Sequence, residues 1–90
     1  MAHAGPEALA RLQETIRQLR AIPQLREKTP GTFHLVGQAF VHFHETEGRL
    51  HADLRKLSGT GFDRYPVDTS PEQRKFVDDA KRRATKLVDD

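Results

Sequence analysis

The sequence contains no cysteine, and this absence excludes several kinds of protein. Without thiols the chain can form no disulfide scaffold, no thiolate metal site and no cysteine nucleophile, so we expect a cytoplasmic protein. It also contains no run close to the roughly 18 consecutive apolar residues that a membrane-spanning helix needs. Residues 1–6 lack the basic and apolar regions of a signal peptide. We therefore expect no membrane partner.

The chain also lacks a marked excess of charge of one sign. Its 90 residues include 15 Lys and Arg against 13 Asp and Glu, which gives a formal net charge of +2. The net charge is +2 over residues 1–32, −1 over 33–69 and +1 over 70–90. Proteins that bind nucleic acid usually carry a basic cluster in clear excess. A nucleic-acid partner is therefore not favoured.

Two segments follow the helical repeat, one near each end of the chain. Apolar residues recur at spacings of three and four over residues 7–22 and again over 71–88. Pro23 cannot continue the first helix. Ser70 is the expected N-cap of the second helix, with Gln73 as its capping-box partner. The length predicts a single domain, residues 1–90, with frayed ends at 1–6 and 89–90.

Between these helices the apolar period changes from 3.6 to 2, which predicts strands at 33–36, 39–45 and 49–55. Gly37-Gln38 and Glu47-Gly48 are the predicted hairpin turns. A fourth strand over 62–67 would lie at an edge because it contains Pro66. The order α-β-β-β-(β)-α predicts an α+β domain: a three- to four-stranded antiparallel meander sheet flanked by an N-terminal and a C-terminal helix.

Alternation along these strands assigns their side chains to two faces of the sheet. The core face is expected to hold Val36, Ala39, Val41, Phe43, Leu50, Ala52 and Leu54, with His34 near its end. The other face is expected to hold an apolar patch and one arginine, namely Phe33, Leu35, Phe40 and Arg55. An exposed apolar patch is typical of a partner surface or a homodimer interface, so these four residues are the predicted binding site.

Three histidines and an aspartate share that second face in the predicted pairing. His42 and His44 lie at i and i+2 on one strand, and across the second hairpin His44 faces His51 while His42 faces Asp53. Imidazole and carboxylate groups at this spacing can bind zinc or another divalent first-row metal. Such binding should weaken below about pH 6.5, where free imidazole becomes protonated. A solvated polar face without metal is the favoured interpretation of this pattern, and the metal site is the alternative to it.

Other signals of chemistry along the chain are weak. Residues 58–61, Ser-Gly-Thr-Gly, are not followed by Gly-Lys-Ser/Thr and indicate a flexible loop rather than a phosphate site. The densest basic patch lies in the last helix and is surrounded by aspartates. Cations near a helix C-terminus complement the helix dipole, so a nucleic-acid site there is only an alternative interpretation. The residues of this patch are Lys81, Arg82, Arg83 and Lys86.

These observations favour a non-catalytic binding module that uses the exposed sheet face to take a protein partner or a second copy of the chain. The first alternative is a metal-binding protein or small metal-dependent enzyme centred on the His-x-His motif. The second is a nucleic-acid-binding domain. No catalytic residue is assigned, because a deep pocket is difficult to build from so small a sheet covered on one side.

Several short motifs of the chain resemble those of a set of small, uncharacterised bacterial proteins over roughly residues 25–80. They include Pro30-Gly31-Thr32-Phe33, the segment Gly37-x-Ala39-Phe40-Val41-His42-Phe43-His44-Glu45, and Phe62-x-Arg64-Tyr65-Pro66-Val67. The layout is also similar to the YjbR-like and luciferase-domain-like α+β proteins. The resemblance implies the same fold and no particular activity. The chain is shorter than either group and lacks their C-terminal tryptophan-bearing strand, so no functional residue is carried over.

Overall fold

A computed structural model describes residues 2–89 and confirms the predicted α+β class. Met1 and Asp90, both at ends predicted to be frayed, lie outside the described residues. At the N-terminal end the backbone of residues 2–3 pairs with a central strand. The elements are β1 (Ala2–His3), α1 (Pro6–Arg11), α2 (Gln13–Arg20), β2 (Leu25–Thr29), β3 (Thr32–Leu35), β4 (Gln38–Thr46), β5 (Arg49–Arg55), β6 (Phe62–Pro66) and α3 (Ser70–Asp89).

The N-terminal helical region is two short helices rather than one. The backbone leaves helical geometry at Leu12, whose φ and ψ are −100° and 11°, and resumes it in α2. The predicted apolar stripe nevertheless faces the core: Leu12, Ile16 and Leu19 are all buried. Buried apolar residues three and four positions apart therefore keep both short helices on one surface of the sheet.

The start of α3 is capped one residue earlier than predicted. The side chain of Thr69 accepts a hydrogen bond from the Glu72 backbone N–H at 3.3 Å, and the Glu72 carboxylate accepts one from the Thr69 backbone N–H at 3.0 Å. This reciprocal pair is a capping box, which satisfies backbone donors that a helix start leaves unpaired. The expected pair, Ser70 and Gln73, was therefore wrong by one position.

The sheet contains one more strand in its meander than predicted. Strands β2 to β6 lie side by side in chain order, and β1 pairs separately with β4. Strand β6 confirms the predicted fourth strand, whereas β2 was not expected. Strand β2 does not alternate apolar with polar residues: most of its residues are charged, and Leu25 is its one apolar residue. This makes β2 difficult to recognise as a strand.

The register of the second hairpin is as predicted. His42 pairs with Asp53, Phe43 with Ala52 and His44 with His51. The turn residues Glu47 and Gly48 have φ values of 52° and 78°. Positive φ at both central positions defines the type I′ turn, whose twist matches that of the paired strands.

The first hairpin differs from the prediction in both its turn and its register. Its turn is Val36-Gly37, with φ values of 50° and 77°, rather than Gly37-Gln38. His34 therefore pairs with Ala39, while Phe33 pairs with Val41. Phe40 is the extra residue between these pairs. It forms a β-bulge, which places two successive residues of β4 in the core.

Because of this turn and bulge, several residues of the first hairpin lie on the opposite face of the sheet from the one predicted. Phe33, Leu35 and Phe40, predicted to form an exposed patch, are 1%, 5% and 0% exposed and belong to the core. Val36, predicted to be in the core, is 78% exposed in its turn. Ala39 and His34 pair on the side away from the helices, so the core positions predicted for both were also wrong.

All three helices contribute to a single core on one face of the sheet. The rings of Phe43 and Phe76 join the sheet to α3, with centroids 5.8 Å apart. At the turn between β2 and β3, Gly31 has φ of 79°, and a Cβ there would lie 2.8 Å from Leu9 Cδ2. The positive φ, together with this close approach to α1, favours glycine at the turn. Among residues 2–89, no helix has the length and apolar character needed to cross a membrane.

Candidate metal site on the open sheet face

The helices cover one side of the sheet, and we call the opposite side of β2 to β6 the open face. Its members follow from the strand pairing, because directly paired residues point to the same side. Lys28 lies at a β-bulge of β2, between the pairs Glu27–Phe33 and Thr29–Thr32, and by alternation from Arg26 it is on the same side as Arg26 and Thr29. The open face comprises Arg26, Lys28, Thr29, Thr32, His34, Ala39, His42, His44, Thr46, Arg49, His51, Asp53, Arg55, Phe62, Arg64 and Pro66.

Three of the four predicted metal ligands meet at the centre of this face. His42, His44 and Asp53 each offer a ligand atom, and the three atoms lie within 4.8 Å of one another. His44 Nε2 lies 2.8 Å from Asp53 Oδ2, and both side chains are 14% exposed. The rings of His42 and His44 meet edge to face with centroids 6.1 Å apart. The i, i+2 spacing and the register of the second hairpin together produce this cluster.

The carboxylate of Asp53 is held ionised by an arginine that the sequence did not point to. Burial would raise the pKa of Asp53, but hydrogen bonds from Arg64 and the charge of His44 outweigh burial and hold that pKa below its ordinary value. Arg64 Nε donates to Oδ1 at 3.0 Å. Arg64 pairs with Asp53 across β5 and β6. That register could be derived only once the bounds of β6 were known.

A second arginine lies beside the cluster, stacked on an aromatic ring. The Phe62 ring lies 5.0 Å from the His42 ring, and the Arg55 guanidinium lies 5.5 Å from the centroid of Phe62. Arg55 Nε also donates to the Ala39 carbonyl at 2.7 Å. The rings and the guanidinium form a column beside the cluster, which limits the movement of His42.

His51, the fourth predicted ligand, lies opposite His44 but outside the group of three. Its Nδ1 atom is buried and has no hydrogen-bond partner among the described residues. A buried nitrogen without a partner is unfavourable, because it has lost water without gaining a hydrogen bond. His51 is therefore placed near the cluster with one ring nitrogen unused.

Of the four residues predicted as an apolar binding site, only Arg55 lies on the open face. The other three, Phe33, Leu35 and Phe40, are in the core and form no exposed patch. The exposed large apolar residues of the described chain are instead Val36, Leu57 and Val88, none of them on the open face.

The basic patch predicted in α3 is partly committed to the fold. Arg82 forms an ion pair with the buried Asp79, and Arg83 forms one with Asp63 at 3.0 Å. Arg83 also donates to the backbone carbonyl of Arg55 at 2.9 Å. The two contacts of Arg83 fasten α3 to β5 and β6, whereas the Arg82–Asp79 pair lies within α3. The other two residues of the patch, Lys81 and Lys86, are exposed.

Comparison with known proteins gave no match: no family model fits the chain, and no curated protein or solved structure is significantly similar to it. The resemblance to small bacterial α+β proteins therefore stays a prediction. Function is inferred here from the chemistry of the open face alone.

Proposed function

We propose that the protein binds a first-row divalent metal ion, zinc in the first instance, through His42, His44 and Asp53. The observation that carries the proposal is the convergence of three ligand atoms within 4.8 Å. Ligands bound to one zinc ion at about 2.0–2.2 Å lie at most about 4.4 Å from one another. Small side-chain rotations would therefore be enough to bring all three atoms onto one ion.

The charge of Asp53 suits a metal. A lowered pKa keeps Asp53 ionised at neutral pH, and a carboxylate must be ionised to bind zinc. Arg64 donates from Nε to Oδ1 at 3.0 Å and from Nη2 to Oδ2 at the longer distance of 3.4 Å. Oδ2 also lies 2.8 Å from His44 Nε2 and would be the oxygen that binds the ion. An outer partner that holds a ligating carboxylate in place is a usual feature of metal sites.

The three ligands leave one position of a tetrahedral ion open. His51, opposite His44 and with an unused buried nitrogen, is the side chain that we expect to fill this position or to hydrogen-bond a water molecule there. Zinc sites with three protein ligands keep an exchangeable fourth position, whereas sites with four ligands are structural. The effect of removing His51 would distinguish a closed site from an open one.

The binding module that the sequence favoured loses part of its basis, since its apolar patch is in the core. The sheet does have an exposed face that a partner could contact, but the side chains on this open face are mainly polar or charged. The metal site is therefore the more specific proposal for the centre of this face.

The test is a zinc titration of the untagged protein by calorimetry, together with NMR of the histidine rings. We expect the His42 and His44 rings to shift together at micromolar zinc. Replacing either by alanine should weaken binding at least about tenfold, the smallest loss usual even for outer-shell partners. His34→Ala is the matched control, because His34 lies on the same face in β3, away from the cluster.

Two results would contradict the proposal. One is zinc binding only at millimolar concentration, with rings that respond independently. The other is equal affinity in the His44→Ala and His34→Ala variants, which would place the ion elsewhere.

A further inference from the structure

The open face carries most of its charge with one sign. Among its strand residues there is one carboxylate, that of Asp53, against five cations. The net charge of the whole chain is only +2, and it does not reveal this excess of cations on the open face. Cations and carboxylates are close together in the sequence but lie mostly on different faces of the sheet. The five cations are Arg26, Lys28, Arg49, Arg55 and Arg64.

On the helix side of the sheet two carboxylates are paired with arginines, whereas among the five cations of the open face Arg64 alone is paired with a carboxylate of residues 4–88, that of Asp53. On the helix side Glu27 is bound by Arg20 at 2.5 Å, and Asp63 is bound by Arg83 at 3.0 Å. On the open face Arg26, Lys28 and Arg49 are exposed and form no ion pair with any side chain of residues 4–88. Their positive potential is therefore free to attract an anionic partner.

These cations are spread over the full width of the sheet. From Arg26 in β2 to Arg64 in β6 there are four strand spacings, which amount to about 19 Å. A cleft of about 460 Å³ lies at the β2 end, with Arg26, Lys28 and His34 among its lining residues. An extended, multiply charged partner matches this distribution better than one small anion.

Planar rings lie between the cations across the same surface. His34, His42, His44, His51 and Phe62 all belong to the open face. Cationic surfaces with interspersed aromatic groups are characteristic of proteins that bind single strands, because phosphates meet the cations and bases stack on the rings. The open face of a five-stranded sheet offers no helix or two-stranded ribbon that could enter the major groove of a duplex.

We propose that the open face binds single-stranded nucleic acid without strong sequence preference. Phosphate groups contact Arg26, Lys28 and Arg49, and bases pack against the rings between them. The proposal requires no metal ion, since the three cations assigned to the phosphates lie outside the His42, His44 and Asp53 cluster. It also differs from the nucleic-acid alternative that the sequence suggested, which lay on α3.

The test is fluorescence anisotropy with a labelled oligothymidine of about ten nucleotides, a length within the range for such surfaces, measured in EDTA so that metal plays no part. The variant Arg26→Gln/Lys28→Gln/Arg49→Gln removes the three cations that have no ion pair. The matched control, Arg74→Gln/Lys81→Gln/Lys86→Gln, removes three exposed cations of α3 and so changes net charge equally. All six positions are exposed, so both variants should fold, which circular dichroism would verify.

The salt dependence of binding supplies a quantitative expectation. For single strands the logarithm of affinity falls with the logarithm of salt concentration by about 0.7 per phosphate contacted. With the three contacts of Arg26, Lys28 and Arg49, affinity should fall about twentyfold between about 50 and 200 mM salt. In the open-face variant, which lacks these three contacts, the residual affinity should depend only weakly on salt. The α3 variant should keep the dependence of the natural protein.

Each other result would overturn the proposal. The natural protein showing no binding at about 50 mM salt would remove it outright. An α3 variant that loses as much affinity as the open-face variant would show an unspecific response to net charge. If an oligoglutamate of equal charge bound as tightly as the oligonucleotide, the partner would be an acidic peptide, and nucleic acid would be excluded.

Discussion

The two faces of the sheet use the same alternation of residues for different purposes. The helix-covered face holds Val41, Phe43, Leu50, Ala52 and Leu54, each at most 3% exposed. The residues that alternate with these along the same strands point to the open face, and they are histidines, arginines and a single carboxylate. Burial on the first face accounts for most of the stability, because the hydrophobic effect scales with the apolar area removed from water.

This difference helps to separate structural residues from functional ones. On the covered face, charged groups occur in satisfied pairs that fasten elements together, as Arg83 does with Asp63. On the open face, cations without ion pairs and a histidine nitrogen without a partner contribute little to folding. A surface that could have been composed of threonine and glutamine instead concentrates groups that bind metals and anions.

The largest expected effect is the removal of a core ring from the covered face. Phe43→Ala should cost about 3–5 kcal/mol of unfolding free energy, most of the stability of so small a domain. The control is Phe62→Ala on the open face, which should cost no more than about 1.5 kcal/mol, the contribution of its ring contacts. Urea unfolding followed by circular dichroism measures both. Equal losses would show that the two faces do not differ in the way described.

Metal binding should stabilise the fold through the open face. At a free zinc concentration one hundred times the dissociation constant, binding adds about 2.7 kcal/mol to the free energy of unfolding. Asp53→Asn should abolish this gain, whereas Asp63→Asn, on the covered face of the neighbouring strand, should retain it. Thermal unfolding with and without zinc gives the comparison, and a gain that survives Asp53→Asn would argue against the site.

Replacing Asp79 tests how much a buried, ion-paired carboxylate on the covered side contributes to stability. Burial would raise the pKa of Asp79, but the hydrogen bond from Tyr65 and the charges of Lys75 and Arg82 outweigh it and lower that pKa. The ionised carboxylate therefore adds stability above about pH 3.9, its ordinary pKa, and this stability is lost as the pH falls through the lower folded-state pKa.

Asp79→Asn should therefore cost about 1.5–3 kcal/mol near neutral pH and flatten the acid limb of the stability curve. Burial and the hydrogen bond to Asp79 also raise the pKa of Tyr65 to about 12. We expect the substitution to lower it, which ultraviolet titration of the single tyrosine would detect. The exposed neighbour Asp78→Asn is the control. A loss of stability as large in Asp78→Asn would mean that net charge, not the Tyr65 contact, is responsible.

The smallest expected effect lies at a turn that belongs to neither face. Val36 has φ of 50°, a left-handed conformation that β-branched residues rarely adopt, and it is 78% exposed. Val36→Asn should stabilise the fold by about 1 kcal/mol, since asparagine tolerates this conformation. Glu47→Asn, at the equivalent position of the second turn, should gain less because glutamate is not β-branched. Thermal unfolding of both variants tests the order.

The two hairpins also show how much of the fold could be predicted from the sequence. In the second hairpin, Glu47-Gly48 is a recognisable turn between alternating strands, so the pairing of His42 with Asp53 followed correctly. In the first, a valine occupies the left-handed position, and local preference argues against that turn. The bulge at Phe40 leaves no signal in the sequence, because it results from how the turn register and core packing combine.

The candidate site could also be predicted only where it depends on the second hairpin. All four predicted ligands lie on the second hairpin, whose register was predicted correctly, and three of them meet. Arg64 and the basic character of the open face were missed because both depend on strands that the sequence marks poorly. The net charge of a third of the chain sums the residues on both faces of each strand. It therefore does not show that the open face has an excess of cations.

The bulge in β2 has a consequence for how copies of this protein meet. Pairing with β3 shifts between Glu27 and Thr29, and β2 is one of the two outer strands of the meander. An irregular, highly charged border strand makes a poor template for a strand from another molecule. At the opposite border, Pro66 ends β6 and has no N–H to offer. Both borders therefore oppose growth of the sheet into fibres or edge-joined chains, and the protein can display a flat surface without aggregating through its rims.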